Sequence, residues 1–329
     1  MQPLSRARDP LVLFANGLGD HILNLPALRA LAHHFGPRLR LVCMAGTGEF
    51  FFGELDVQKL PVEAHQEGDP GYQFDHDAVA EFAQGCDLFI SPNPWLSSSL
   101  RALLESLGGI PGIGFFEPYS IRLPLDYGKH TSDLAFDVVR PLRPDLALES
   151  FAGPPVLPEE ALATADEILG VAGSGHSFLA VHLDTMREKM LPAETWVEFI
   201  DRFLADRPRH HVLVLGTRQQ DVERGRHGGR VIPCYGLPLP ISLALVSRAD
   251  AFVGIDSCLL HAADFFRTPG VGVFLSTDVH ESGFRVGPHR HVRLQPGCDP
   301  APAAAEVLAA LEDLLAEPRA ATQPALSPP

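Results

Sequence analysis

Residues 16–20 combine backbone freedom with a carboxylate directly after an apolar, strand-like run. Gly17 and Gly19 allow the backbone to approach a ligand closely, and Asn16 precedes them. Asp20 follows at the predicted start of a helix. A carboxylate at that position, facing a cleft, could take a proton from an alcohol. The segment therefore makes Asp20 a candidate general base.

Two other interpretations of this segment stay open. Asp20 could act only as the N-cap of the helix, a position that aspartate favours. The segment could also bind a dinucleotide, but the G-x-G-x-x-G pattern needs a third glycine where Ile22 stands. No nicotinamide or flavin cofactor is therefore predicted.

Residues 182–189 follow an apolar run in the C-terminal half. Thr185, Arg187 and Lys189 place a hydroxyl group and two cations in this one loop. Such donors suit the charge of a diphosphate. The alternative is a solvated loop in which Glu188 pairs locally.

Residues 253–261 contain a strand that ends in Asp256 and Ser257 before a helix opens. The first N–H groups and the positive dipole end of a helix attract phosphate. Either side chain could instead be a simple cap, and His261 could fill a buried polar position. A further loop carries Thr277 and Asp278 at the same predicted sheet edge. Together the three loops predict a nucleoside diphosphate site in the C-terminal half.

Residues 75–77 read Asp-His-Asp and superficially match a D-x-D metal-binding motif. They lie just before a helical pattern, so a helix cap is the better interpretation. No other cluster of carboxylates or histidines has the spacing of metal ligands. The sequence therefore predicts no metal site.

Strand-length apolar runs alternate with helical patterns along the chain, which is typical of doubly wound α/β folds. The predicted strands are residues 11–14, 39–44, 86–90 and 113–115, then residues 178–182, 211–215, 251–254 and 271–275. We expect two Rossmann-like domains facing each other across a cleft, over residues 1–153 and 154–317. A disordered tail over residues 318–329 is expected to follow. Pro26 is predicted to kink or restart the first long helix.

The composition limits the choice of partners. A net charge of −15 repels nucleic acid and anionic lipid, so neither is a predicted partner. The longest apolar runs are of strand length, far below the roughly 20 residues that span a bilayer. The five cysteines contain no C-x-x-C pair, which fits a reducing cytoplasm. The excess of arginine over lysine and the 30 prolines indicate a GC-rich bacterial genome.

Three segments resemble glycosyltransferase family 9, the bacterial heptosyltransferases, in order and in spacing. Residues 11–31 are LVLFANGLGDHILNLPALRAL, similar to the family's first strand, Gly-Asp turn and Leu-Pro-Ala-Leu helix. Residues 180–196 are AVHLDTMREKMLPAETW, and residues 251–278 are AFVGIDSCLLHAADFFRTPGVGVFLSTD. These resemble the family's Thr-Lys loop and its Asp-Ser/Thr helix start.

The resemblance implies a GT-B fold with the acceptor bound by the first domain and a nucleotide-sugar donor by the second. It also implies an inverting, metal-independent transfer without a cofactor, from a donor similar to ADP-heptose. Asp20 matches the catalytic base, and Asn16, Gly17 and Gly19 form the acceptor-side loop. The candidate donor-binding residues are Thr185, Arg187, Lys189, Asp256, Ser257, Cys258, His261, Thr277 and Asp278.

Departures from the family pattern concern the identity of the donor. Cys258 stands where the family has glycine, and Met190 with Leu191 stands where a tryptophan precedes the proline. Leu275 and Ser276 replace a Gly-Pro pair. The acidic balance favours a natural-product or glycan intermediate as acceptor over a lipid-linked one. A sugar-nucleotide hydrolase or epimerase, or a non-catalytic binding subunit, are the alternatives to a cytoplasmic glycosyltransferase.

Overall fold

The computed structural model of the protein describes residues 7–68, 70–219, 222 and 227–317. The predicted tail over residues 318–329 lies outside the described residues. The chain forms two compact units that divide between Val156 and Leu157. Each unit has its own sheet and its own apolar core. No described helix is long and apolar enough to cross a membrane.

The N-terminal unit contains a parallel six-stranded sheet in the order β3-β2-β1-β4-β5-β6. Its strands are β1 Pro10–Leu13, β2 Arg40–Met44, β3 Gln58–Val62, β4 Leu88–Ile90, β5 Gly112–Gly114 and β6 Ile121–Arg122. Its described helices are α1 Leu18–Phe35, α2 Thr47–Phe51, α3 His76–Phe82, α4 Ser98–Ser106 and α5 Thr131–Phe136.

The C-terminal unit contains a second parallel six-stranded sheet, in the order β12-β11-β10-β7-β8-β9. Its strands are β7 Ser177–His182, β8 His210–Gly216, β9 Val231–Tyr235, β10 Ala251–Ile255, β11 Gly270–Phe274 and β12 His289–Arg293. Its described helices are α6 Glu159–Gly170, α7 Ala193–Ala205, α8 Leu239–Arg248, α9 Cys258–Phe266, α10 Val279–Ser282 and α11 Pro300–Ala316.

Both sheets have the Rossmann strand order, so the predicted α/β class with two Rossmann-like domains is confirmed. In each unit the first and fourth strands are neighbours, and the strand order reverses between them. These pairs are β1 with β4 and β7 with β10. Ligands of open α/β sheets bind beyond the carboxyl ends of the strands at such a reversal. The candidate loops after β1, β7 and β10 all begin there.

Pro26 does not restart the first helix, so the restart that the sequence offered as one of two outcomes does not occur. α1 runs as one element from Leu18 to Phe35 with Pro26 inside it. A proline in a helix interior costs about 3 kcal/mol. Burial of one whole face of α1 offsets this cost, since Ile22, Leu25 and Leu28 are fully buried beside it.

Candidate active site

The turn after β1 carries Asp20 into the first turn of α1. Gly17 is the N-cap residue of α1, and Asp20 is the third residue of the helix. The interpretation of Asp20 as the N-cap is therefore wrong. At this position the carboxylate lies at the positive end of the helix dipole, which favours its charged form.

Side chains from α1 and from the loop after β4 fix the backbone of this turn. Nδ1 of His21 donates to the carbonyl of Gly17 at 2.9 Å, and the amide of Asn24 donates to the carbonyl of Asp20 at 2.9 Å. Asn93, which is 1% exposed, donates to the Leu13 carbonyl and accepts from the Ala15 N–H. The turn is thus held from both sides of the reversal.

His21 is a buried and neutral histidine, so it belongs to the support of the turn. Its ring packs against Phe14, Phe51 and Phe52 with centroid distances of 5.1 to 5.5 Å. Burial lowers the pKa of His21 to about 4, although the hydrogen bond to Gly17 acts in the opposite direction. This buried, neutral ring supports the turn from an aromatic pocket, and Asp20 remains the candidate base.

Tyr72 is a residue of this site that the sequence did not single out. A methyl group added to Gly17 would lie 3.4 Å from Oδ2 of Asp20 and 3.9 Å from the Tyr72 hydroxyl. The two polar groups therefore lie above the same glycine. Burial raises the pKa of Tyr72, and the charge of Asp20 raises it further. Tyr72 keeps its proton at neutral pH and can donate a hydrogen bond beside the candidate base.

Lys189, Asp256 and His261 form a charged cluster at the reversal of the C-terminal sheet. Lys189 lies in the short 3₁₀ turn after β7, and its Nζ is 2.7 Å from Oδ2 of Asp256. Nε2 of His261, one turn into α9, is 3.7 Å from Oδ1 of the same carboxylate. Two separate chain segments, the loop after β7 and residues 256–261 at the start of α9, meet at this point.

Asp256 is the charged centre of that cluster. It is 4% exposed. Burial alone would raise its pKa, but His261 and Lys189 outweigh this effect and hold the pKa below its usual value. Asp256 therefore stays ionised and orients the ammonium group of Lys189, which keeps two further N–H donors for a ligand.

Ser257, the N-cap residue of α9, contacts a second group of polar residues. Its hydroxyl is 2.9 Å from Nδ1 of His182, the last residue of β7. Nε2 of the same ring is 3.3 Å from Oδ1 of Asp184. The other oxygen of Asp184 accepts hydrogen bonds from the loop after β8, from the N–H and hydroxyl of Thr217 and from the Arg218 N–H.

The remaining predicted donor-binding residues lie around the cluster of Lys189, Asp256 and His261. Thr185 is half-buried and Arg187 is exposed. Cys258 is half-buried and opens α9. Thr277 follows β11, and its hydroxyl approaches Asp256. Asp278 is the N-cap of the four-residue helix α10, because its carboxylate accepts from the His280 N–H.

The Asp-His-Asp segment is a helix cap, as predicted. Asp75 caps α3 by accepting from the N–H groups of Asp77 and Ala78 at 3.1 and 3.0 Å. Among residues 7–68, 70–219, 222 and 227–317, no group of three His, Cys, Asp or Glu side chains could hold a metal ion.

Several solved structures with a similar fold are glycosyltransferases. A glycosyl transferase of family 9 from Veillonella parvula has a TM-score of 0.73 at 19% identity, over 95% of this chain and 98% of that one. Escherichia coli heptosyltransferase WaaC with ADP has a TM-score of 0.65 at 19% identity, over 93% and 99%. The E. coli ADP-heptose LPS heptosyltransferase II has a TM-score of 0.67 at 14% identity, over 93% and 98%.

These likenesses define the class of fold, which is the GT-B fold of the family 9 heptosyltransferases. The coverage shows that both units take part in the likeness. No protein-family model matches the chain, and no curated protein matches it. At identities of 14 to 19% the likeness shows a shared fold.

Proposed function

We propose that the chain is an inverting, metal-independent glycosyltransferase. It moves a sugar of the heptose class from a nucleoside diphosphate to an acceptor nucleophile, a natural-product or glycan intermediate. The observation that carries this proposal is the pairing of Lys189 with Asp256 directly before α9, at the strand reversal of the C-terminal sheet. A cytoplasmic location belongs to the same proposal.

The charges around the start of α9 support a binding site for the donor's diphosphate there. Lys189 brings one cation, and α9 brings the positive end of its dipole, to the place where a diphosphate would lie. Asp256 fixes the cation by a 2.7 Å contact. Two of the similar solved structures are named for ADP and ADP-heptose, which supports adenosine diphosphate as the leaving group.

The turn before α1 and the first turn of the helix supply the groups that would act on the acceptor. We propose that Asp20 accepts the proton of the acceptor's hydroxyl group as its oxygen bonds to C1 of the donor sugar. The bond from C1 to the diphosphate oxygen breaks on the opposite face, which inverts the anomeric centre. Lys189 and the N-terminus of α9 then stabilise the charge on the departing diphosphate. Tyr72, beside Asp20, is in a position to donate a hydrogen bond to the acceptor.

The donor proposal predicts a large effect of Lys189→Met, which keeps the aliphatic stem and removes the ammonium group. Loss of a hydrogen bond to a charged group costs about 1.5–3 kcal/mol. We therefore expect ADP to bind about 10- to 100-fold more weakly and turnover of the donor sugar to fall with it. Isothermal titration with ADP and an assay of ADP release from a nucleotide sugar measure the two effects.

Lys129→Met is the matched control, because Lys129 also pairs with a buried aspartate, Asp137, at 2.5 Å. Both variants lose a lysine–aspartate pair, and only Lys189→Met should lose ADP affinity. Equal ADP affinity in wild type and Lys189→Met would remove Lys189 from the donor site. Free sugar released without an acceptor would identify a hydrolase, and nucleotide-sugar binding without ADP release would identify a binding subunit.

A further inference from the structure

The N-terminus of α9 is arranged in an unusual way for a helix that begins with serine. An N-cap serine ordinarily accepts a hydrogen bond from the N–H of the second or third helical residue, here Leu259 or Leu260. Ser257 has the extended backbone of an N-cap residue, yet its hydroxyl caps none of the described residues of α9. It contacts the ring of His182 instead.

We propose that His182 and Asp184 form a hydroxyl clamp that keeps Ser257 from capping α9. The Leu259 N–H then stays available to the donor's diphosphate, while the N–H groups of Leu260 and His261 donate to the Ser257 carbonyl. The inference rests on the proposed function, because it assigns two positioning residues to the donor site. Neither residue needs to touch the donor to do this.

The charge of Asp184 determines which ring nitrogen of His182 carries the proton and which one accepts from Ser257. Burial alone would raise the pKa of Asp184, but the contact with His182 and the hydrogen bonds from the next loop outweigh it and lower the pKa to about 2. The carboxylate is 3.3 Å from Nε2 of His182 and favours a proton on that nitrogen. Nδ1 then presents its lone pair and accepts the hydroxyl proton of Ser257 at 2.9 Å.

Two strand glycines lie close to the side chains of this arrangement. A methyl group added to Gly216, the last residue of β8, would lie 2.7 Å from Oδ1 of Asp184. A methyl group added to Gly254 in β10 would lie 2.6 Å from the ring of Phe252 and 3.2 Å from Cβ of His182. Both His182 and Asp184 are more than nine-tenths buried. The clamp is therefore built into the sheet.

Without the clamp, the Ser257 hydroxyl should compete with the donor's diphosphate for the Leu259 N–H. In His182→Phe the serine hydroxyl is released and can turn to accept from the Leu259 N–H. An N-cap hydrogen bond from a serine hydroxyl shifts the equilibrium between the capped and the uncapped helix end by about fivefold to tenfold. We expect ADP affinity to fall by about that factor and amide hydrogen exchange at Leu259 to slow.

A double-mutant cycle separates the clamp from general damage to the strand. Ser257→Ala has no hydroxyl to misplace, so His182→Phe should cost no further ADP affinity in the Ser257→Ala background. His182→Asn keeps a hydrogen-bonding group near the position of Nδ1 and should restore most of the affinity. His211→Phe is the matched control, since His211 is a buried histidine on the neighbouring strand β8.

Isothermal titration of the full-length chain with ADP decides the proposal. Wild-type ADP affinity in His182→Phe would overturn the proposal. So would a His182→Phe substitution that lowers ADP affinity by the same factor whether residue 257 is serine or alanine. If His182→Phe does not fold, His182→Leu replaces it in the same cycle. No binding of ADP, UDP or GDP by the wild type would overturn the proposed function as well, so the two failures are distinguishable.

Discussion

Replacement of Asp20 by asparagine is expected to lower turnover by about 10²–10⁴-fold, with donor affinity almost unchanged. The substitution keeps the shape of the side chain and removes the lone pair that takes up a proton. The backbone around it is fixed by His21 and Asn24, so the turn should keep its geometry. Steady-state turnover and ADP affinity are the two measurements.

Asp133→Asn is the matched control for Asp20→Asn. Asp133 is the third residue of α5, as Asp20 is of α1, and both side chains are half-buried. If Asp20 only complements the helix dipole, both variants should lose about 0.3–1 kcal/mol of stability and keep full turnover. Normal turnover in Asp20→Asn would therefore end the case for a general base in the N-terminal unit.

The interior of both sheets was predictable from the sequence, and their edges were not. All eight predicted strands are present, and the four missing from the prediction are the outer strands β3, β6, β9 and β12. Interior strands are buried on both faces and form continuous apolar runs. Edge strands are partly solvated, and β3 and β9 each contain a proline, Pro61 and Pro233, which edge strands tolerate.

The candidate site shows a similar division. Asp20, Lys189, Asp256 and His261 could be found because each lies in a turn or helix start that follows an apolar run. Their supports could not, because the partners are far apart in the sequence. Asn93 contacts the backbone of Leu13, 80 residues away. The contact of His182 with Ser257 spans 75 residues and becomes visible only when β7 and β10 lie side by side.

Asp264 is expected to contribute strongly to the stability of the C-terminal unit. It is 1% exposed in the last turn of α9, among apolar neighbours. Its carboxylate accepts three backbone N–H groups, from Arg285 at 2.9 Å and from Val286 and Gly287 at 2.7 Å each. These bonds hold the loop that follows α10, and α10 begins at the candidate donor residue Asp278.

Asp264→Ala leaves three N–H groups without their acceptor, and each buried donor that loses its partner costs about 1–3 kcal/mol. We expect a loss of about 3–5 kcal/mol, which corresponds to a melting temperature lower by about 10 °C. Asp264→Asn should lose less, because one oxygen remains, although its NH₂ group must face an N–H donor. Asp166→Ala is the control, since it removes an exposed carboxylate 3.0 Å from Arg248 and should cost at most about 1 kcal/mol. Calorimetric melting of the three variants tests the ranking, and an Asp264→Ala variant as stable as Asp166→Ala would show that the loop is held by its apolar contacts instead.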